Sequence, residues 1–190
     1  MSHDPADAPL PGTFRVIEHP VISVKLTRAR DRATPPAEFR RLLSEIAGLM
    51  TFIAAEHLET EPVEVDTPLE RTQGLRFARP ITLVPILRAG IGMTEGILAL
   101  LPEARVGHIG VYRDEQQMVP VSYYSKMPPD VGRSQVLLVD PMLATGGSAA
   151  HAVRVLKDHG CRDIRFICLV AAPRGVRALA EQHPDVPILA

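Results

Sequence analysis

Residues 137–150, LLVDPMLATGGSAA, bring together residue types and spacings that suit one kind of chemistry. An apolar run rich in Leu and Val ends on an acid, Asp140, followed by Pro141, Met142, Leu143 and Ala144. A small-residue turn comes next, Thr145-Gly146-Gly147-Ser148, and then Ala149, Ala152, Val153 and Leu156 recur at helical spacing up to a stop at Gly160. The predicted order is buried strand, acid, glycine turn, helix N-terminus. Free backbone N–H groups at such a helix start, with a hydroxyl on each side, suit a phosphate. The acid cannot bind phosphate, but it accepts hydrogen bonds from a sugar diol. Together these residues read as a holder for a sugar phosphate.

A second candidate is Arg88-Ala89-Gly90, where another apolar run turns into a helical pattern. A guanidinium fork there suits phosphate oxygens, and the glycine lets backbone come close to them. The plainer alternative is a surface arginine at an ordinary turn. The commoner phosphate loops fit badly. A Walker loop needs a Lys after its last glycine, and none follows Gly146 or Gly147. The nearest approach to a dinucleotide fingerprint, Gly90, Gly92 and Gly96, is one residue too long.

The string DPMLATGGS resembles, nearly letter for letter, the phosphoribosyl-diphosphate loop of the uracil phosphoribosyltransferases. VPILRAGIGM (84–93), VYRDEQQMVPVSYYSKMP (111–128), LVAAPRG (169–175) and HPDV (183–186) resemble the same family in the same order. Many related phosphoribosyltransferases carry two adjacent acids at this strand end, whereas Val139-Asp140-Pro141 is the uracil-type version.

The resemblance implies a type I phosphoribosyltransferase-like α/β fold. Its central, mostly parallel sheet would have helices on both faces, an N-terminal helix or arm, and a lid hairpin. It implies transfer of phosphoribosyl from 5-phosphoribosyl 1-diphosphate to uracil, giving UMP and diphosphate in pyrimidine salvage. Residues Asp140 to Ser148 and Arg88 to Gly90 would bind the donor, with a non-proline cis peptide expected in the second loop. Arg113 would touch the leaving group from the lid and share the catalytic work with Arg88. Lys126 is a further candidate cation there, with a solvated surface role as its alternative. Mg²⁺ would arrive on the substrate, without a dedicated protein site. A homodimer or higher homo-oligomer, a GTP effector and a cytoplasmic location are further implications. Similar proteins carry, beyond the position of Ala190, a segment that reads uracil through its backbone, so no residue here is assigned to uracil. The competing reading is a regulatory protein on the same fold that senses phosphoribosyl diphosphate or binds RNA. A third, a dinucleotide-dependent oxidoreductase, is disfavoured by the glycine spacing.

The elements that must position these residues are legible as alternating periodicities. A chain of 190 residues with 46% hydrophobic content predicts one domain over residues 16–190, after a Pro- and Asp-rich flexible leader at 1–15. Pro35-Pro36 opens a long helical pattern through Ala54, and VEVDTPLERTQG alternates like a hairpin. Buried strands are predicted at 81–87, 106–112, 135–140 and 164–170, and the start of another at 186–189. Helices are predicted at 89–101, 147–159 and 174–182, and 113–132 has little pattern. In such sheets ligands bind beyond the C-terminal strand ends, where Asp140, Arg88 and Arg113 all fall.

A net charge of −1 gives no pull toward nucleic acid or an anionic membrane, and no apolar stretch is long enough to span a bilayer. Lys25, Arg28, Arg30 and Arg32 read as solvated or interface surface. Cys161 and Cys168 read as buried reduced thiols, and His19 and His183 as structural.

Overall fold

The structure is a computed structural model and describes residues 9–113 and 120–190. The chain opens with β1 (Phe14–Arg15), α1 (Pro20–Arg30) and α2 (Pro36–Ala54), and α2 runs into a short 3-10 turn. A hairpin follows, β2 (Thr60–Asp66) and β3 (Arg71–Phe77), paired antiparallel along its whole length. The core alternation is β4 (Ile81–Leu87), α3 (Ile91–Leu100), β5 (Arg105–Val106) and β6 (His108–Arg113). After β7 (Pro120–Lys126) come β8 (Gln135–Val139), β9 (Met142–Leu143) and α4 (Gly147–Asp158). The chain closes with β10 (Asp163–Ile167), β11 (Val170–Ala171), α5 (Pro173–Gln182) and β12 (Ile188–Leu189).

The main sheet runs β1-β12-β10-β8-β4-β6-β7, with β5 also on β4, and only β6 and β7 pair antiparallel. Its central strands are mostly apolar, with only Thr82 and Gln135 as buried polar residues in β4 and β8, because both faces are covered. In β8, Val136 and Leu138 point into a layer with Ala149, Val153 and Leu156 of α4 and Val176 and Leu179 of α5. Leu137 and Val139 point the other way, onto Ile46 and Met50 of α2 and Met93 and Ile97 of α3.

Three sequence expectations are corrected and one is borne out. The Pro- and Asp-rich composition predicts a leader through residue 15, yet Phe14 and Arg15 pair with Ile188 and Leu189 and cover the outer edge of β12. Phe14 also packs on the core, which draws it into the sheet. The basic cluster from Lys25 onward lies on and just after α1. Lys25 bonds Glu45 at 2.5 Å and Arg28 bonds Glu38 at 2.9 Å, both on α2, while Arg28, Arg30 and Arg32 are exposed, the surface position expected of them. The single strand predicted at 164–170 is two: after Ile167 the amides of Leu169 and Val170 both turn to the Pro141 carbonyl, and β11 pairs with β9 instead. The patternless stretch after Arg113 contains β7, which folds back on β6 with an irregularity between Gly110 and Val111. Among the described residues no helix is long and apolar enough to cross a membrane.

Candidate active site

From β8 the chain winds through α4 to β10 and β12 on one side, and from β4 through α3 to β6 on the other. β4 and β8 are neighbours, in register from Ile81↔Gln135 to Pro85↔Val139. The sheet therefore has its topological switch at the C-terminal ends of these two strands, where a crevice opens between diverging loops. Arg88-Ala89-Gly90 leaves one strand and Asp140 to Ser148 the other.

The two loops touch. A Cβ on Gly90 would stand 2.6 Å from the Val139 carbonyl and 2.8 Å from the Ile86 backbone, so only glycine lets this turn close. The room a side chain would need is filled by protein rather than by ligand, a different reason for this glycine from the one its sequence position suggested. The Gly90 amide donates back to the Ile86 carbonyl at 2.9 Å, and the Leu87–Arg88 peptide is cis, as the resemblance implied. Arg88 and Ala89 are left exposed at the rim.

On the other strand, the Asp140 amide donates to the Ile167 carbonyl and its carboxyl accepts from the Met142 amide. Burial pushes that carboxyl up to about 6, with the Met142 amide pulling only partly back. Met142 and Leu143 pair with Val170 and Ala171, fixing the loop from below. Gly146 takes φ +83°, a left-handed conformation that glycine adopts freely, and α4 starts at Gly147. No side chain caps that helix, which leaves its first N–H groups pointing into the turn. Asp140, Met142, Leu143, Ala144, Thr145 and Ser148 surround a small cavity of about 80 Å³ there. That is room for a phosphate group, with Thr145 and Ser148 exposed beside it and Pro141 and Gly147 half-buried.

Arg113 is the last residue of β6, opposite Pro120, and β6 flanks β4 through Leu87↔Gly110. Its backbone thus reaches the same rim, while its side chain and residues 114–119, where the resemblance implies a lid, lie outside the described residues. Lys126 is exposed at the far end of β7, paired with His108, away from that rim. A cavity of about 750 Å³ opens at the opposite end of the sheet beside Pro80 and Arg105. Its arginines are already matched, Arg76 with Glu61, Arg79 with Glu59 and Asp163, and Arg105 with Asp130.

A family model described as uracil phosphoribosyltransferase matches residues 16–190. The chain belongs to the uracil phosphoribosyltransferase family. The uracil phosphoribosyltransferase of Dictyoglomus turgidum is 50% identical over 174 residues, 91% of this chain and 84% of that protein. The solved AQ2163 protein from Aquifex aeolicus superposes with a TM-score of 0.87 at 32% identity, covering 93% of this chain and 85% of its own. Adenine phosphoribosyltransferase from Trypanosoma brucei, solved with AMP, pyrophosphate and ribose-5-phosphate, matches at TM-score 0.54 and 12% identity over 81% of this chain and 65% of that chain. That last likeness speaks for the fold alone, a type I phosphoribosyltransferase sheet.

One contributor to this uracil phosphoribosyltransferase-family site is not legible as such in the sequence. Gly175, in the first turn of α5, lies against the loop: a Cβ on it would stand 2.7 Å from the Leu143 carbonyl and 2.8 Å from that of Ala144. Its own carbonyl closes in turn on Gly146. The available signal is a glycine directly after the helix-opening pair Pro173-Arg174, a costly choice unless something packs there.

Proposed function

We propose that this chain transfers the 5-phosphoribosyl group of phosphoribosyl diphosphate to uracil, forming UMP and diphosphate for pyrimidine salvage. The C1–O bond to diphosphate breaks, a bond from C1 to uracil N1 forms, and uracil gives up its N1 proton. The observation that carries this reading is the meeting of two loops at the β4–β8 switch, one shaped for a sugar phosphate and the other ending on an exposed arginine. The family names of the relatives agree with it.

Each residue has a separate task. The amides at the start of α4, with the Thr145 and Ser148 hydroxyls, hold the 5′-phosphate and so fix the sugar. Asp140 accepts hydrogen bonds from the ribose hydroxyls, which favours its charged form over the protonated one that burial alone prefers. Pro141 to Ala144 and Gly146-Gly147 set the path of the loop. The transition state resembles a ribosyl oxocarbenium ion separating from diphosphate, so the charge to be stabilised gathers on the leaving group. Arg88, beside Ala89 and Gly90, meets that charge, and Arg113 adds a second guanidinium from β6.

The donor set at this rim, one carboxyl with hydroxyls and amides, suits a Mg²⁺ ion that travels with the substrate. Diphosphate oxygens and water would supply most of its ligands. We also infer, from the family resemblance, a homo-oligomer, a cytoplasmic location and a response to GTP. Sedimentation with and without the nucleotide checks assembly and effector together.

The test of the function is product analysis with phosphoribosyl diphosphate and Mg²⁺, offering uracil, hypoxanthine, orotate or no base. Diphosphate release that depends on uracil is the expected result. Use of hypoxanthine or orotate instead would overturn the assignment, and RNA binding without turnover would favour a regulator on the same fold.

A further inference from the structure

α5 meets the loop-and-helix unit at two points. Near its start Gly175 lies against the Leu143 and Ala144 carbonyls, and at its C-cap His183 reaches across to α4. The His183 Nε2 lies 3.0 Å from the Ala150 carbonyl oxygen, and its Nδ1 lies 3.3 Å from the Lys157 Nζ. Lys157 also donates to Asp185 Oδ1 at 2.7 Å. An ammonium only donates and a carbonyl only accepts, so the partners assign the tautomer: Nδ1 accepts and Nε2 carries the proton. Burial, Lys157 and Arg154 hold this imidazole below its usual pKa against the pull of Asp185 and of the Ala150 carbonyl, which keeps it neutral and able to play both parts. The result is a chain of contacts: carboxylate to ammonium, ammonium to imidazole, imidazole to the first turn of α4.

We propose that His183 is a positioning residue for the phosphate-holding turn. Ala150 follows Gly147, Ser148 and Ala149, whose amides open α4, and its own amide donates to the Gly146 carbonyl at 2.8 Å. The Nε2–H bond to Ala150 therefore fixes the turn whose free amides face the cavity beside Thr145. Gly175 sets how deep the loop sits, and His183 sets how the helix start is rotated upon it. The proposal rests on reading that turn as the site of the 5′-phosphate.

Two substitutions separate the two ring nitrogens. In His183→Gln the side-chain amide nitrogen falls where Nε2 was, so it keeps the bond to Ala150 and loses the one to Lys157. In His183→Asn the amide ends where Nδ1 was, keeping Lys157 and losing Ala150. Initial rates with Mg²⁺–phosphoribosyl diphosphate and uracil would be measured together with thermal midpoints. The Asn variant is expected to raise the KM for phosphoribosyl diphosphate about three- to tenfold, the weight of one net hydrogen bond. Its kcat should stay within about twofold, because His183 meets no reacting atom. The Gln variant is expected to restore the parent KM although its midpoint falls with that of Asn. Equal KM values in all three proteins would overturn the proposal, as would equal losses in both variants that follow thermal stability. If the Asn variant does not fold, His183→Ser, which also loses the bond to Ala150, is expected to raise the same KM, and an unchanged value there overturns the proposal. A parent protein that neither binds nor consumes phosphoribosyl diphosphate would instead bring down the functional reading itself.

Discussion

Gly175→Ala should reverse the usual sign of a glycine-to-alanine change in a helix. Alanine in a helix ordinarily gains about 0.5–1 kcal/mol, because it narrows the unfolded ensemble and suits helical backbone. Here the new Cβ would stand 2.7 and 2.8 Å from two backbone carbonyl oxygens, where ordinary contact begins near 3.4 Å. Those oxygens belong to Leu143, the last residue of the short β9–β11 ladder, and to Ala144 directly after it, and backbone cannot swing aside like a side chain. The loop must retreat by roughly half an ångström, and forced overpacking of this kind costs about 1–3 kcal/mol. The net effect is a loss of about 0.5–2 kcal/mol, or roughly 2–6 °C in midpoint for a chain of this size. Because the displaced atoms belong to the loop proposed to hold the donor, kcat/KM for phosphoribosyl diphosphate should fall about tenfold, in keeping with the cost of small misplacements at a reacting centre. Differential scanning calorimetry and initial-rate kinetics read both effects. Gly12→Ala, where nothing lies within 4 Å of the added carbon, serves as the control. A Gly175→Ala protein with a raised midpoint and unchanged kcat/KM would refute the argument that α5 supports the loop by backbone contact.

Arg88→Ala should lower kcat by about 10²–10³ while leaving UMP affinity nearly unchanged, since the lost donor faces departing diphosphate; an unchanged kcat in steady-state assays would make Arg88 a plain turn residue. Asp140→Asn should weaken phosphoribosyl diphosphate binding by calorimetric titration yet stabilise the free protein at neutral pH. The folded carboxyl holds its proton up to about 6, whereas the unfolded chain releases it near pH 4, so the stability tied to that proton is full below about pH 4 and lost as pH rises through 6. The shift amounts to on the order of 3 kcal/mol at pH 7. Parent and variant midpoints should therefore converge toward pH 4 and separate above 6, and superimposable profiles would show that the carboxyl is not buried against its charge.

The strands and helix around the Asp140–Ser148 loop are legible because strands buried on both faces become apolar runs, as in residues 136–139, and α4 follows with a regular apolar stripe. α1 is not legible for the opposite reason. Only Ile22 of its eleven residues is buried, and Lys25 and Arg28 tie it to α2 through Glu45 and Glu38, so no periodic stripe marks it. β11 hides inside an apolar run continuous with β10, because composition alone does not show that the ladder changes partner at Leu169. At the site, Asp140, Arg88 and the glycine turn announce themselves through residue type. Gly175 and His183 stand inside the strings LVAAPRG and HPDV, but their tasks are not legible there, since they are contacts with carbonyls about thirty residues away.

The divergence of the chain at β4 and β8 has a mechanical consequence. The arginine loop runs into α3, which is packed in one apolar layer, and the phosphate loop runs into α4, which is packed in the other. The two grips are rooted in different halves of the core, and between them lie only the shared strands and the contact of Gly90 with Val139. On the proposed reading, a donor held by its 5′-phosphate on one side and its diphosphate on the other would span that seam like a stitch. Saturation with the donor should then brace both layers against unfolding, whereas a ligand held by one grip alone, such as free diphosphate, would stiffen mainly its own half.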